Sequence, residues 1–229
     1  MGEFERSVTG IGALAEPVRR ELYFFVCGQD TAVSRDQAAD AVGVPRHQAK
    51  FHLDKLAAEG LLEADYARLD GRTGPGAGHP SKLYRRATNE ISVSLPRRQY
   101  QLAGLLMADA ITDAARTGAP VLDALDQAAA TQGAIIGRTA AKRQEGDVLG
   151  SAVEALAENG YEPRRENERV VLANCPFHAL AAVHTELVCR MNRALVAALA
   201  GALAPDRLQV VLEPAADRCC VVLTASPHR

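Results

Sequence analysis

Apolar residues recur at helical spacing over several stretches of this chain, and the breaks between them fall on Gly, Pro, Ser and Asn. Ile11, Leu14, Val18, Leu22 and Phe25 predict a helix from roughly Gly10 to Cys27. Ser34 then opens "SRDQAADAVG". Ser34 with Gln37 has the spacing of a capping box, and Gly43 supplies a left-handed stop. The next helix starts at once in "VPRHQAKFHLDKLAAEG": Pro45 suits its first turn, Ala49, Leu53 and Leu56 form its buried stripe, and Gly60 ends it. "LLEADYARLD" and "KLYRRAT" read as two strands joined by the Gly/Pro-rich loop "GRTGPGAGHPS".

The pattern then turns helical again. Pro96 opens a helix with Leu102, Leu105, Leu106 and Ala110 on its apolar face, and a longer one covers about Val121 to Lys142. A capped helix ends at Gly160. "YEPRRENERVVLANC" reads as a hairpin turning near Asn167, about Thr185 to Leu203 is helical, and "LQVVLEP" with "CCVVLTA" forms a last hairpin around "AADR". The expected fold class is α+β, mostly helical with small β-hairpins. Three parts are expected: a helix-turn-helix with a hairpin wing over 1–95, a helical linker and dimerisation region over 96–145, and a C-terminal α+β sensor-type domain over 146–229.

Composition bounds the function. The 229 residues are 48% hydrophobic and 24% charged, which reads as globular, and the scarcity of aromatics, at 4%, favours helices packed through small aliphatic side chains. The net charge of -2 rules out a uniformly basic nucleic-acid coat, but the charge is unevenly spread. Gly43 to Arg98 carries ten Lys/Arg against six Asp/Glu, and Gln101 to the end carries twelve against fifteen. One part is suited to a polyanion and the other is not. "MGEFERSVTG" has no apolar core of a leader, and the longest apolar run, Ala194 to Pro205, is about half a membrane span. No membrane partner is expected, and the expected location is the cytoplasm, where thiols stay reduced and clustered cysteines suggest metal or redox chemistry.

Two short helices around a tight Gly turn place the second in a DNA major groove, its leading turns against base edges. Its outward residues are Arg46, His47, Gln48 and Lys50, with Phe51 at the margin; Arg and Gln donate bidentate bonds to guanine and adenine. Arg68, Arg72, Lys82, Arg85 and Arg86, with His79, surround the hairpin, and Asp70 opposes them. Such a wing contacts phosphates or enters a minor groove. The expected DNA-binding residues are therefore Arg46, His47, Gln48, Lys50, Phe51, Arg72, His79 and Lys82, and the expected partner is double-stranded DNA. The plainer alternative is an ordinary helical pair with a solvated charged loop. The helix after the wing is a natural dimer element, since two-fold pairing spaces two recognition helices one DNA turn apart.

The chemistry-bearing stretch is "NCPFHALAAVHTELVCRMN", Asn174 to Asn192, with a Cys-Cys pair thirty residues after Cys189. Cys175, His178, Cys189 and Cys219 are the candidate metal ligands, with Cys220 as the alternative fourth. Thiolates with one imidazole suit zinc or an iron–sulfur cluster. If Cys219 and Cys220 open the last strand, their side chains point to opposite faces and only one of them serves a given ion. Cysteine is also among the most buried residue types, so core packing is the plain alternative. Cys27, in "FFVCG", is expected in the N-terminal core, and His184 at a cap or on the surface.

"FHLDKLAAEGLLEAD" followed by "GPGAGHPSKLYRR" resembles the winged-helix regulators of the ArsR/MarR superfamily, and more closely the SufR-like branch. The resemblance covers most of the chain. "NCPFHALAAVHTELVC" is similar to that family's first two cluster-binding cysteines, with one extra intervening residue, and "ADRCCVVL" to the segment around its last, which falls on Cys219. Where the family has a third cysteine this chain has "LAPDRLQ", so His178, His184, Cys220 or an acidic residue must complete the set. The resemblance implies a homodimeric DNA-binding transcriptional regulator, a repressor, that senses iron–sulfur cluster, redox or metal status. The alternatives are a winged-helix regulator of zinc or of a small organic effector, and, from another class, a metal-dependent enzyme centred on Cys175, His178 and Cys189. For the enzyme there is no Gly-rich phosphate loop and no His-Glu-x-x-His helix, and no nucleophile has an evident base.

Overall fold

The computed structural model describes residues 3–67, 81–143, 146–215 and 217–226. The chain divides into two compact units, Met1–Val93 and Ser94–Arg229. The class is α+β, mostly helical, with two small antiparallel sheets among the described residues.

The first unit opens with α1 (Glu3–Ala13) and α2 (Pro17–Cys27) where the periodicity predicts a single helix. Pro17 is the cause. It has no N–H to give to the preceding turn and its ring clashes with it, so the helix must restart. Glu16 takes an extended conformation, and its carboxylate accepts the backbone N–H groups of Val18 and Arg19 at 3.2 and 2.6 Å. Then come β1 (Val33–Ser34), α3 (Arg35–Val42), α4 (Arg46–Ala58), β2 (Leu62–Ala67) and β3 (Ser81–Arg86). The capping box at Ser34 and Gln37 is formed in both directions, and Gly43 at φ 73° makes the left-handed turn into α4. Pro45 is the N-cap rather than the first helical residue. The two-residue β1 pairs with β3, giving the order β1-β3-β2. Leu22, Val26, Leu53, Leu56, Leu62 and Tyr84 are buried between the helices and this sheet.

The second unit contains α5 (Tyr100–Thr117), α6 (Val121–Ala141), α7 (Val148–Glu158), β4 (Pro163–Glu166), β5 (Arg169–Leu172), α8 (His178–Val183), α9 (Thr185–Leu203), β6 (Leu208–Leu212) and β7 (Val221–Ala225). The sheet order is β4-β5-β7-β6, antiparallel throughout. α5 starts four residues after Pro96 and buries Ala103, Leu106, Ala110 and Ala114; Leu105 is instead 57% exposed. α5, α6, α7 and α9 share one core with β5 and β7. α6 lies against α9 through Gly133 and Gly137. A Cβ on either would overlap the backbone carbonyl oxygen of Leu195 or Leu199, so the two helices approach at a distance only glycine allows. Among the described residues no helix is long and apolar enough to cross a membrane.

Candidate functional site

In the first unit, α4 turns Ala49, Leu53 and Leu56 inward, which leaves Arg46, His47, Lys50 and Phe51 exposed and Gln48 half-buried. Phe51 is 63% exposed and meets the His52 ring edge-on at 5.3 Å. Arg46 lies 3.5 Å from Asp36 and Lys50 3.7 Å from the half-buried Asp54; both cations are exposed and can exchange these partners for another anion. Asp54 is the hinge of this surface. It accepts Lys82 Nζ at 2.6 Å and the Tyr84 hydroxyl at 2.8 Å, which fastens α4 to β3. Burial pushes the Asp54 carboxyl up, but these two hydrogen bonds outweigh it and hold it below the ordinary range. Burial, then the bond to Asp54, raises the Tyr84 phenol well above its usual value.

Among the described residues the hairpin's cations are engaged. Arg85 pairs with Glu63 at 2.9 Å and Asp65 at 3.3 Å, and Arg86 donates to the carbonyl of Cys27. Lys82, a predicted DNA contact, has Asp54 as its first partner. Arg72 and His79, with Arg68 and Asp70, lie outside the described residues.

In the second unit, Cys175, His178, Cys189, Cys219 and Cys220 all line one cavity of about 450 Å³. Backbone bonds place them. The Cys175 carbonyl accepts His178 N–H at 3.1 Å and Arg98 Nη1 at 2.7 Å. Cys219 N–H donates to the Leu172 carbonyl, and the Cys220 carbonyl accepts Glu213 N–H. Asn174, buried beside Cys175, accepts Glu162 N–H at 2.7 Å and donates to the Gly160 carbonyl.

The sulfurs form two pairs. Cys189 Sγ lies 3.3 Å from Cys220 Sγ, and Cys219 hydrogen-bonds to Cys175. All are free thiols. The alternation expected for Cys219 and Cys220 does not apply, because β7 begins at Val221 and both cysteines sit in the turn before it. Both line the same cavity. Among the described residues no group of three or more His, Cys, Asp or Glu side chains is arranged to hold a single metal ion.

The hydrogen bond from Cys219 lowers the Cys175 thiol below its ordinary value against the opposing effect of burial. The same bond, together with burial, raises Cys219. Burial and the bond to Cys220 push Cys189 up to about 12. Behind Cys219 stands a buried polar chain: the Tyr161 hydroxyl donates to Asn192 Oδ1 at 2.5 Å, and Asn192 Nδ2 donates to Cys219 Sγ at 3.3 Å.

Sequence reasoning missed Asp54, Tyr84, Asn192 and Tyr161. Asn192 carried a signal: it falls on the buried stripe of α9 with Val188, Met191, Leu195 and Val196. A polar residue there needs a partner. His184 is exposed between α8 and α9, and Cys27 packs at the edge of the first unit's core.

Searches against protein-family models, curated proteins and solved structures return no match.

Proposed function

We propose that the chain is a homodimeric, cytoplasmic DNA-binding regulator of the winged-helix, SufR-like kind, a repressor whose C-terminal cysteines report iron–sulfur cluster, redox or metal status. The observation that carries this is the exposed leading end of α4, where Arg46, His47 and Lys50 face outward on a helix that Asp54 ties to the basic hairpin. Arg46 and Gln48 would read base edges, Lys50 and the hairpin would meet phosphates, and Phe51 would lie against a thymine methyl or a sugar. Leu105 and Ile111, exposed on α5, are the apolar side chains that would meet a second copy.

The donor set suits an iron–sulfur cluster. Four soft sulfurs surround one cavity. A single tetrahedral zinc, with Zn–S near 2.3 Å, would draw its four sulfurs to about 3.8 Å from one another. The four sulfurs stand instead as two pairs, and among the described residues no three of them are set for one ion. Cys175, Cys189 and Cys219 would hold the cluster, with Cys220 or His178 as the fourth ligand. When bound, the cluster would supply a redox- and iron-sensitive link between α9 and the turn before β7. Asn192 would direct an N–H bond at the ligand sulfur of Cys219, the kind of contact that tunes such centres. Regulation then requires that the occupied site favour one dimer form over another.

The test is anaerobic purification followed by an electrophoretic shift on the gene's own promoter, with and without reconstituted cluster. Broad visible absorption with stoichiometric iron and sulfide, and a shift that depends on it, are expected. Colourless protein carrying zinc, or a shift indifferent to cluster, would count against the sensing part.

A further inference from the structure

We infer that Cys189 and Cys220 form an oxidation site of their own: in the metal-free protein a hydroperoxide converts this dithiol to an intramolecular disulfide. Three features single the pair out. Their sulfurs are already 3.3 Å apart, and a disulfide needs them only to close to about 2.05 Å. Both residues are half-buried on the cavity wall, so a small oxidant reaches them. They also come from distant parts of the chain, the first turns of α9 and the turn before β7, so the link would brace helix against sheet.

The other thiols are less suited. Cys219 is 3% exposed and already takes the Asn192 hydrogen bond, and Cys175 has that buried sulfur as its partner. Cys27 stands in the other unit.

The chemistry balances with peroxide as the oxidant. Cys189 donates its S–H to Cys220, which marks Cys220 as the attacking sulfur. Cys220 takes the distal peroxide oxygen; the O–O bond breaks and an alcohol, or water from hydrogen peroxide, leaves. Cys189 then attacks the resulting sulfenic acid, the S–S bond forms, the S–O bond breaks, and water leaves with the last thiol proton. Two electrons pass from the thiols to the peroxide. The site deepens the redox part of the proposed function, because a disulfide at Cys189 would exclude cluster rebinding until a thiol reductant reopened it.

The crosslink is read on metal-free protein, and cluster assembly by colour on loaded protein, so each idea fails separately. Reduced apoprotein is treated anaerobically with one equivalent of hydrogen peroxide. Free thiols are blocked with N-ethylmaleimide; linked ones are then reduced, labelled with iodoacetamide and assigned by tandem mass spectrometry. Of five thiols, three should carry the first label and Cys189 and Cys220 the second. The Cys220→Ser variant should keep its remaining four thiols under the same treatment. Five unreacted thiols, a Cys175–Cys219 link or a link between chains would overturn the proposal.

Discussion

Asp54 shows how much one carboxylate settles. It neutralises Lys82, binds Tyr84 and borders Lys50, so it fixes the hairpin against the helix that carries the proposed DNA contacts. Its folded carboxyl lies below the ordinary range, so it contributes stability above the unfolded value of about 3.9, and that contribution disappears as pH falls through the lower folded value. Asp54→Asn should cost about 1–2 kcal/mol at pH 7 in urea unfolding. The gap from wild type should hold to about pH 4 and narrow below it. A gap that does not change with pH would show that the ionised carboxylate is not what matters.

Asn192 makes a second case at the same scale. Asn192→Leu strands the buried Tyr161 hydroxyl and removes the donor to Cys219, which should cost about 1–3 kcal/mol. Adding Tyr161→Phe to that variant should cost much less than Tyr161→Phe does alone, because the hydroxyl then has no bond left to lose. Additive losses in thermal unfolding would refute the chain of bonds.

Among the elements, the contact of α6 with α9 depends on Gly133 and Gly137. Gly133→Ala would drive a methyl into the Leu195 carbonyl and should destabilise the protein by about 1–3 kcal/mol or more. Gly201→Ala, on α9 with open space around it, should instead be neutral or stabilising by up to about 1 kcal/mol. Equal effects in chemical denaturation would mean that the helices do not meet where described.

Much at this scale was legible in the sequence. Ser34 with Gln37 and Gly43 marked α3 and its stop, Asn167 marked the β4–β5 turn, and the apolar period gave α9 from Thr185 to Leu203. The misses have physical causes. The stripe from Ile11 to Phe25 hid a break because apolar spacing alone does not register a restart: Ile11 is 44% exposed while Ala13 is buried, and only Pro17 with the Glu16 cap betrays the new helix. The two residues of β1 are too few for a period. Strand alternation was applied one turn too early at Cys219 and Cys220. Which sulfurs pair is a tertiary property, because Cys189 meets Cys220 across thirty intervening residues.

For the whole molecule, the proposal joins a DNA-reading unit to a sulfur-lined one, and it stands or falls on the reading face of α4. That face is tested by fluorescence anisotropy of the gene's own promoter duplex against a scrambled duplex of equal length, for wild type and Arg46→Ala over a range of salt. Loss of one base-reading arginine should cost about 1–3 kcal/mol, a fall of about 5- to 150-fold in affinity for the promoter, with little change on the scrambled duplex. Wild-type affinity equal on both duplexes, or promoter affinity unmoved by Arg46→Ala, would contradict it.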